Sequence, residues 1–458
     1  MQTETIEAQP LPAAPVRKIG SVSGGLPVIG HLLEINRDAL GLLRRGREQF
    51  GPAFRINHGF GWKPIWLCGD DAYPLLKNEK VDSSAAGDYL EHFIKGSFAE
   101  LDGAPHRRVR GCFSGPLSPA GMKHAQVGND IAAAAASHLA GWQNTDNVCP
   151  LPSMSDYALN VLFRIIGVEV DDLAQWHREF YKLSGTMIPM SEKIPGSPKW
   201  RAGRARSWLQ DRLRQLIAEA RKDPARSGLL GALVKESEDA ATGRVTEQEL
   251  VDSLLLLTFA GHETSASVMS WMMIQLAARP DFWERLCAEA HAADGPPLEP
   301  AAIARFPFAE ALFREVVRKY PPAWFTLRTA TVDFEFADAL IPKGTMLFFG
   351  LIEMLNDSDR YVAPDTFDPE RWVGREQGQT PIENAAFGGG PHFCVGYRVA
   401  LLEAVHFFVA AARSVSARGL CPELVGPIPK PTYLPITTHP PHKTKVRFVK
   451  RAMSSRGV

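Results

Sequence analysis

One stretch near the C-terminus decides the fold, and it reads Phe387-Gly388-Gly389-Gly390-Pro391-His392-Phe393-Cys394-Val395-Gly396-Tyr397-Arg398. Glycines on both sides of Cys394 let the backbone approach a second group closely and leave N–H groups free to point at a sulfur. We predict a helix over residues 397–411, directly after this loop. A cysteine at a helix N-terminus with basic neighbours has a lowered pKa, which favours the thiolate.

A thiolate at this place serves two kinds of chemistry. It is the form that binds a metal, and it is also the form that acts as a nucleophile. A phosphate-binding loop is excluded, because no Gly-Lys-Ser or Gly-Lys-Thr follows the glycines. The other cysteines are scattered without C-x-x-C spacing, which disfavours paired zinc ligation and covalent haem attachment. We expect them to be buried reduced thiols: Cys68, Cys112, Cys149, Cys287 and Cys421.

Composition and charge are those of an ordinary globular chain. The protein has 458 residues, of which 45% are apolar and 22% charged, and its formal net charge is zero. Nothing global therefore points to nucleic acid or to acidic lipid. The N-terminus has no positive segment followed by an apolar run, so we predict neither a signal peptide nor a membrane anchor. We expect residues 1–24 to be a flexible lead-in and residues 25–458 to form one catalytic domain.

Helical periodicity dominates the chain, which predicts a mainly α fold with a small β subdomain. The predicted helices cover residues 38–48, 121–141, 156–166, 172–182 and 198–222. The short β-type runs cover residues 53–56, 65–68, 334–336, 345–349 and 445–449. Since these strands come from both ends of the chain, we expect one small sheet beside a large helical body.

Residues 253–278 form an unusually apolar segment in which Glu263 is the only formally charged residue. An ionisable group at the centre of a membrane span is costly, so we predict a long helix through a soluble protein, bracketed by Asp252 and Arg279. The buried carboxylate of Glu263 and the helix-interior Gly261 each lower stability. Two neighbouring residues that lower stability often mark a functional site. The alternative is that Glu263 lies on a polar stripe and Thr264 bonds a carbonyl one turn back. A zinc-protease motif fails here, because H-E-x-x-H lacks its second histidine.

Four motifs together resemble the cytochrome P450 superfamily. The loop matches F-x-x-G-x-x-x-C-x-G at Phe387, Gly390, Cys394 and Gly396. Residues 260–264, Ala-Gly-His-Glu-Thr, resemble the distal-helix motif A/G-G-x-D/E-T. Residues 315–318 resemble the E-x-x-R helix, and residues 367–372 resemble the P-E-R-W segment. Their order and spacing cover about residues 26–450, so the resemblance implies this family's fold, with a long distal helix over a haem.

The resemblance also implies the roles of the central residues. Cys394 would be the axial thiolate ligand of haem b, in a loop shaped by Phe387, Gly388 and Gly396; a thiolate favours O–O cleavage. Thr264 and Glu263 would stabilise dioxygen and relay protons to it, and Ala260 and Gly261 would leave room for oxygen. His262 would bond a neighbouring helix rather than the metal. The haem propionates would meet four cationic side chains, in which a histidine replaces the usual arginine at the last position: His106, Arg110, Arg328 and His392.

The remaining expectations concern structure, substrate and partners. Glu315, Arg318 and Arg371 would brace the cysteine loop without catalysing anything. The substrate pocket would be apolar and draw on residues 89–98, 323–326 and 434–437, with candidates Leu256, Phe259, Trp324, Phe325 and Leu434. Electrons would come from a ferredoxin or flavodoxin-type donor with its NAD(P)H reductase. This donor would dock on a local basic patch formed by Arg107, Arg108 and Arg398. The alternative is that these three arginines simply lie on a solvated helix face.

These residues imply a cytoplasmic monooxygenase that uses O2 to hydroxylate or epoxidise an apolar small molecule, of the sterol, terpenoid, fatty acid or polyketide class. Two alternatives remain open at this point. The first is an enzyme of the same family that catalyses desaturation, coupling or peroxide-driven oxidation. The second, from another class, is a non-catalytic haem sensor or carrier.

Overall fold

The computed structural model describes residues 17–84, 94–142, 147–167, 173–184, 194–223, 228–239, 243–375, 381–433 and 437–450. Most of this part of the chain is helical. The helices are α1 (Leu32–Phe50), α2 (Gly103–Ser114), α3 (Pro119–His124), α4 (Val127–Gly141), α5 (Pro150–Ile166), α6 (Leu173–Ser184), α7 (Pro198–Lys222), α8 (Leu229–Glu238), α9 (Glu247–Ala278), α10 (Pro280–Ala292), α11 (Pro307–Lys319), α12 (Leu351–Leu355) and α13 (Tyr397–Ala417).

Helix α9 runs through the main hydrophobic core, which explains why its sequence is apolar on every side. It begins earlier than predicted, because Thr246 caps it. The Thr246 side chain accepts from the Glu249 N–H, and the Glu249 carboxylate accepts from the Thr246 N–H, which is a capping box. Asp252 therefore lies inside the helix rather than at its start. The helix ends at Arg279, immediately before Pro280, as the sequence predicts.

In the part of the chain that the structure describes, the β structure forms three sheets rather than the one that the sequence suggested. The largest joins strands from both ends of the chain, in the order Ala53–Arg55, Ile65–Leu67, Met346–Phe349, Thr326–Ala330 and Val81–Asp82. The last strand lies elsewhere, because Val446 pairs with Leu424 and Val148 in a separate sheet. The strands are β1 (Ala53–Arg55), β2 (Ile65–Leu67), β3 (Val81–Asp82), β4 (Asn147–Val148), β5 (Thr326–Ala330), β6 (Phe334–Phe336), β7 (Ala339–Ile341), β8 (Met346–Phe349), β9 (Leu420–Leu424) and β10 (Val446–Lys450).

Helix boundaries differ from the predictions where the backbone departs from helical geometry. The stretch predicted as one helix over residues 121–141 is divided into α3 and α4, because Gln126 has a φ of 56°. Length and composition alone would allow one helix among the described residues, over Gly390–Ala417, to cross a membrane. Half of its most apolar window is buried inside the protein.

Candidate functional site

The cysteine loop is held in shape by backbone contacts that require glycine. The Cys394 N–H donates to the Phe387 carbonyl oxygen at 2.8 Å, which closes the loop into a compact turn. Gly388 has a φ of 79°, and a Cβ there would lie 3.1 Å from the His392 carbonyl oxygen. A side chain at this position would therefore be strained and would press against the loop's own backbone. Helix α13 begins at Tyr397, so Cys394 lies just before a helix N-terminus.

The Cys394 side chain is exposed, although protein atoms lie close around its sulfur. Burial raises its pKa, although the N–H groups of Gly396 and Tyr397 hydrogen-bond to the sulfur and, with Arg110, act in the opposite direction. The expectation that N–H groups point at the sulfur is therefore confirmed. The expected fall in pKa is wrong, because burial outweighs the helix N-terminus and the cation. A bound metal cation would shift the balance toward the thiolate.

Glu315 of α11 is fully buried and is the centre of a polar cluster. Its carboxylate accepts two hydrogen bonds from Arg318, at 2.8 and 2.9 Å, and one from the Arg371 Nε at 3.2 Å. It also accepts from the Trp372 indole N–H at 2.7 Å and from the Asp368 N–H at 2.8 Å. Five donors on one carboxylate connect α11 to the segment that precedes the cysteine loop. The cluster therefore fixes the position of that segment.

The centre of α9 is incompletely covered, in contrast to the rest of the helix. Positions 250–256 and 265–277 are buried, whereas Phe259, Ala260, Glu263 and Thr264 are partly open. Around the cysteine, Phe387, Val395, Tyr397 and Ala400 likewise border the same core cluster without being fully covered. We call the partly open region that these two sets border the opening. An opening with apolar walls suits a flat, mainly apolar group.

The polar groups in the centre of α9 have distinct environments. The Thr264 hydroxyl donates to the Ala260 carbonyl oxygen at 2.6 Å, the bond one turn back that the sequence left open. Its oxygen can still accept a hydrogen bond. The Glu263 carboxylate has no hydrogen-bond partner among the described residues, and burial raises its pKa. A Cβ on Gly261 would lie 3.2 Å from Leu162 of α5, so this glycine gives room to a neighbouring helix rather than to oxygen.

His262 is buried, and its Nε2 lies 2.7 Å from the Ser155 hydroxyl oxygen on α5. The prediction that this histidine bonds a neighbouring helix is confirmed.

The four predicted propionate partners differ in how many of their side-chain nitrogens are already hydrogen-bonded within the protein. The buried His106 has no hydrogen-bond partner at Nε2 among the described residues. Its ring centroid lies 4.2 Å from that of His392. The His392 Nε2 is 2.8 Å from Asp102 Oδ1 and 3.1 Å from the Ser83 hydroxyl, so its other nitrogen is the one left for a further anion. Burial lowers the pKa of His106 to about 4, with the charges of His392 and Arg110 acting in the same direction.

The two arginines of this group are anchored through the main chain. Arg110 donates to the Phe393 carbonyl oxygen, beside the cysteine. Arg328 is buried and donates to the Leu327 carbonyl oxygen at 2.6 Å, and burial lowers its pKa. Among the described residues no ion pair of Arg328 is present, although the charges of Asp102 and Asp82 act against the effect of burial on its pKa; a buried guanidinium without an ion pair is costly. An anionic group bound beside Arg328 would offset that cost.

The predicted substrate residues are not all in one place. Leu256 and Phe259 lie on α9 beside the opening. Trp324 is 2% exposed, stacks on Trp66 and donates from its indole to the Tyr433 carbonyl oxygen, so it has no open face. Phe325 is partly buried against the same cluster. Residue Leu434 and residues 89–93 of the predicted stretch 89–98 lie outside the described residues.

Of the three arginines in the predicted basic patch, Arg107 and Arg398 are exposed. Arg108 instead makes two hydrogen bonds to Glu249, at 2.5 and 3.0 Å, and one to the Arg244 carbonyl oxygen. Its charge is largely neutralised.

Sequence reasoning missed two groups that the fold brings to the site. Asp102 holds His392 from 290 residues away in the chain. Only its place just before α2 could have suggested a polar role. Glu403 on α13 is 3% exposed and has one carboxylate oxygen without a partner among the described residues. No motif in the sequence analysis included it.

The residues present fit a bound haem. A sulfur with two backbone N–H donors lies on one wall, and apolar side chains line the opening. The buried, unpartnered His106 nitrogen and the buried Arg328 supply donors for anionic groups. Soft sulfur at one end and cationic donors at the edge are the donor set that an iron porphyrin with carboxylate side chains needs.

Comparison with known proteins agrees with this geometry. The family profile "Cytochrome P450" matches residues 21–413. "Cytochrome P450 BJ-4 homolog" of Sinorhizobium fredii is 32% identical over 425 residues, covering 93% of this chain and 95% of the relative. A structure of a cyanobacterial cytochrome P450 with retinoic acid bound aligns with a TM-score of 0.79 at 22% identity, covering 94% of this chain and 99% of that one.

A second solved structure, a myxobacterial cytochrome P450 with myristic acid, aligns with a TM-score of 0.71 at 21% identity, covering 91% and 98% of the two chains. The family profile spans most of the sequence, and the bacterial relative is similar over nearly its whole length. Haem b is the cofactor of this family, and redox partners and O2 serve its reactions on small molecules. The chain belongs to the cytochrome P450 family of haem-thiolate monooxygenases.

Proposed function

We propose that this protein hydroxylates or epoxidises an apolar small molecule of the sterol, terpenoid, fatty acid or polyketide class. For a hydroxylation the balance is R–H + O2 + 2 e⁻ + 2 H⁺ → R–OH + H2O. The observation that carries the proposal is the exposed Cys394 thiol together with the centre of α9, where Glu263 and Thr264 are only partly covered among apolar neighbours. An apolar lining with few polar groups suits an apolar substrate that is oriented by shape.

Cys394 binds the iron of haem b, which supplies oxygen activation when bound. His106, Arg110, Arg328 and His392 hold the propionates, and the Asp102 carboxylate orients the His392 ring. Phe387, Gly388 and Gly396 shape the loop. On α9, the small side chain of Ala260 leaves room for oxygen. Gly396 also contributes one of the N–H donors to the sulfur. These donors stabilise the thiolate and so would keep Cys394 in the form that binds iron.

Glu263 and Thr264 deliver the two protons of the reaction. Burial raises the pKa of Glu263, so its carboxyl group takes up a proton more readily than an exposed glutamate does. Thr264 donates to Ala260 and can accept a proton-bearing partner at the same oxygen. A carboxyl group that alternates between the two protonation states, beside a hydroxyl group, suits general acid catalysis.

The substrate lies against Leu256 and Phe259, with Phe325 and Leu434 as further contacts. Trp324 shapes the pocket from behind, because its indole is fixed to Tyr433. The cyanobacterial and myxobacterial proteins above were solved with retinoic acid and with myristic acid. Both ligands are long apolar acids, which supports a substrate of similar character.

Electrons come from a ferredoxin or flavodoxin-type protein that is reduced by its own NAD(P)H reductase, in the cytoplasm. Arg107 and Arg398 supply the basic contacts, since Arg108 is already paired with Glu249. Residues 25–458 act as one catalytic domain after a lead-in over residues 1–24. A haem sensor or carrier would have no use for an acid and a hydroxyl group in this opening, and substrate turnover separates it from an enzyme.

The first test is the difference spectrum of the reduced protein with carbon monoxide. We expect a strongly red-shifted Soret band in the wild type, its loss in Cys394→Ser, and its retention in the control Cys149→Ser. Candidate substrates are then screened by spin-state shift and by turnover with NAD(P)H and redox partners. A band at the position of histidine-ligated haems in the wild type would overturn the proposal, and so would a normal band without turnover of any apolar class.

A further inference from the structure

We propose that Ser155 and His262 form a proton relay that leads from the protein surface to Glu263. This inference rests on the proposed role of Glu263 as the proton donor of the reaction. It assigns a function to His262, which occupies the variable position of its motif, and to a serine outside every motif.

The inner end of the relay is the His262 side chain on α9. Its Nε2 lies 2.7 Å from the Ser155 hydroxyl oxygen. Its Nδ1 is buried without a hydrogen-bond partner among the described residues and lies 4.0 Å from the Glu263 carboxylate oxygen Oε1. One imidazole thus faces a hydroxyl group with one nitrogen and a carboxylate with the other. A small rotation of the partly open Glu263 side chain, or one water molecule, closes the remaining distance.

The outer end of the relay reaches solvent between α5 and α6. Ser155 is partly exposed, and the neighbouring Asp156 side chain is 69% exposed. His177 on α6 lies edge-on to His262, with 5.6 Å between the ring centroids, and its Nε2 is 3.5 Å from Asp156 Oδ1. The titratable groups near His262 are therefore His177 and Glu263, and the exposed Asp156 lies beside His177.

Electrostatics keep the central ring neutral, as a relay requires. Burial lowers the pKa of His262 to about 3, and the nearby His177 acts in the same direction. A neutral imidazole has one N–H donor and one bare acceptor nitrogen. With Nδ1 protonated, the bare Nε2 accepts from the Ser155 hydroxyl. The proton of Nδ1 then points at Glu263, whose pKa burial raises.

The transfer step leaves no charge behind on the relay. A hydronium ion at the surface protonates the Ser155 oxygen, while the serine passes its own proton to His262 Nε2. The Nδ1 proton moves at the same time to the Glu263 carboxylate. The sum is H3O⁺ plus glutamate giving water plus glutamic acid. The ring regains its first tautomer by exchanging protons with water between turnovers.

A second histidine–serine pair, which is half-buried, provides a control two residues away on α5. The His138 Nε2 lies 2.8 Å from the Ser153 hydroxyl oxygen, and burial lowers the pKa of His138 to about 4. This pair resembles the first in its hydrogen-bond distance and in the direction of the histidine pKa shift. Aromatic rings surround it, and no carboxylate is among the groups that shift its pKa. The His138–Ser153 pair therefore has the hydrogen bond but no neighbouring carboxylate that would accept a proton.

The decisive comparison is Ser155→Ala with Ser153→Ala, supported by His262→Gln. In histidine ¹⁵N spectra of the carbon monoxide complex, we expect neutral His262 with its proton on Nδ1, assigned by its absence in His262→Gln. Ser155→Ala should change the Nε2 signal and leave the tautomer balance mixed. In turnover, Ser155→Ala should lower product per electron by about tenfold, with peroxide increased and a larger solvent isotope effect. Ser153→Ala should change neither.

Two results would overturn the relay. One is a wild-type His262 that carries its proton on Nε2, since it then donates to Ser155 and offers nothing to Glu263. The other is equal coupling of electrons to product in both serine variants. If the wild type oxidises no substrate, or Glu263→Gln is fully active, the proposed function fails instead. The tautomer measurement distinguishes these cases, because it does not depend on turnover.

Discussion

Glu315 and Glu263 are both glutamates in core helices, but their surroundings are opposite. Glu315 is completely buried and accepts hydrogen bonds from two arginines, an indole and a backbone amide. Glu263 is 36% exposed to an internal opening and has no hydrogen-bond partner among the described residues. The first carboxylate is fixed in one state by its partners. The second is left free to change its protonation.

The difference shows how one fold uses the same side chain for support and for chemistry. A carboxylate with every lone pair occupied contributes to structure and has no capacity left for substrate or proton transfer. An unpaired buried carboxylate lowers the stability of the folded protein. Burial raises the pKa of Glu263, because the neutral carboxyl group is less costly to bury than the charged one. The fold therefore tolerates an unpaired carboxylate at Glu263 while it provides a complete set of hydrogen-bond donors for the carboxylate of Glu315.

The largest expected effect is on stability, from Glu315→Gln. The substitution leaves Arg318 and Arg371 buried without their anion, which should lower the free energy of unfolding by about 3–5 kcal/mol. Urea unfolding followed by circular dichroism measures this. The control is Glu34→Gln, which breaks the exposed pair with Arg45 and should cost less than about 1 kcal/mol. Equal losses in the two variants would show that the cluster does not brace the fold.

Glu263→Gln should behave in the reverse way. We expect its free energy of unfolding to stay within about 1 kcal/mol of the wild type, because no hydrogen bond is lost. Product formed per electron should fall about 100-fold, since the amide cannot deliver a proton. Glu247→Gln, at the exposed start of the same helix, is the control and should change neither quantity. A Glu263→Gln protein that is destabilised but remains active would show that Glu263 serves structure, as Glu315 does, and not proton transfer.

The sequence predicted the parts of the site that depend on local pattern. Motif spacing located Cys394, Glu263 and Thr264, and periodicity located most of α9, because both signals are contained in neighbouring residues. Contacts between distant segments were out of reach. The bond from Asp102 to His392 spans 290 positions, and the separate sheet of β10 depends on partners that no strand pattern specifies. Burial also reversed the expected pKa of Cys394, since burial is a tertiary property.

Glu403 sharpens the comparison as a third case, buried but incompletely paired. Burial raises its pKa to about 8 from the usual 4.5, while a hydrogen bond from Ser265 acts in the opposite direction. Between these values the unfolded chain loses a proton that the folded chain keeps, so the free energy of unfolding falls as pH rises from 4.5 to about 8. Glu403→Gln cannot ionise and should not show this fall.

We therefore expect Glu403→Gln to gain about 3–4 kcal/mol over the wild type between pH 5 and pH 8. Urea unfolding at several pH values measures the difference. The exposed Glu423→Gln serves as the control and should follow the wild-type curve. A constant difference between Glu403→Gln and the wild type across this range would mean that Glu403 ionises normally in the folded protein.

The smallest expected effect separates the hydroxyl group of Thr264 from its packing. Thr264→Ser keeps the oxygen and should stay within about twofold of the wild type, whereas Thr264→Ala should lose about tenfold in product per electron, with peroxide formed instead. Thr258 on the same helix makes the same kind of bond, from its hydroxyl to the Leu255 carbonyl oxygen at 2.9 Å, but it is fully buried. Thr258→Ala should therefore lower stability by about 1 kcal/mol and leave coupling unchanged. If both alanine variants lose coupling equally, the threonine acts through the helix, and Glu263 alone remains to deliver the protons.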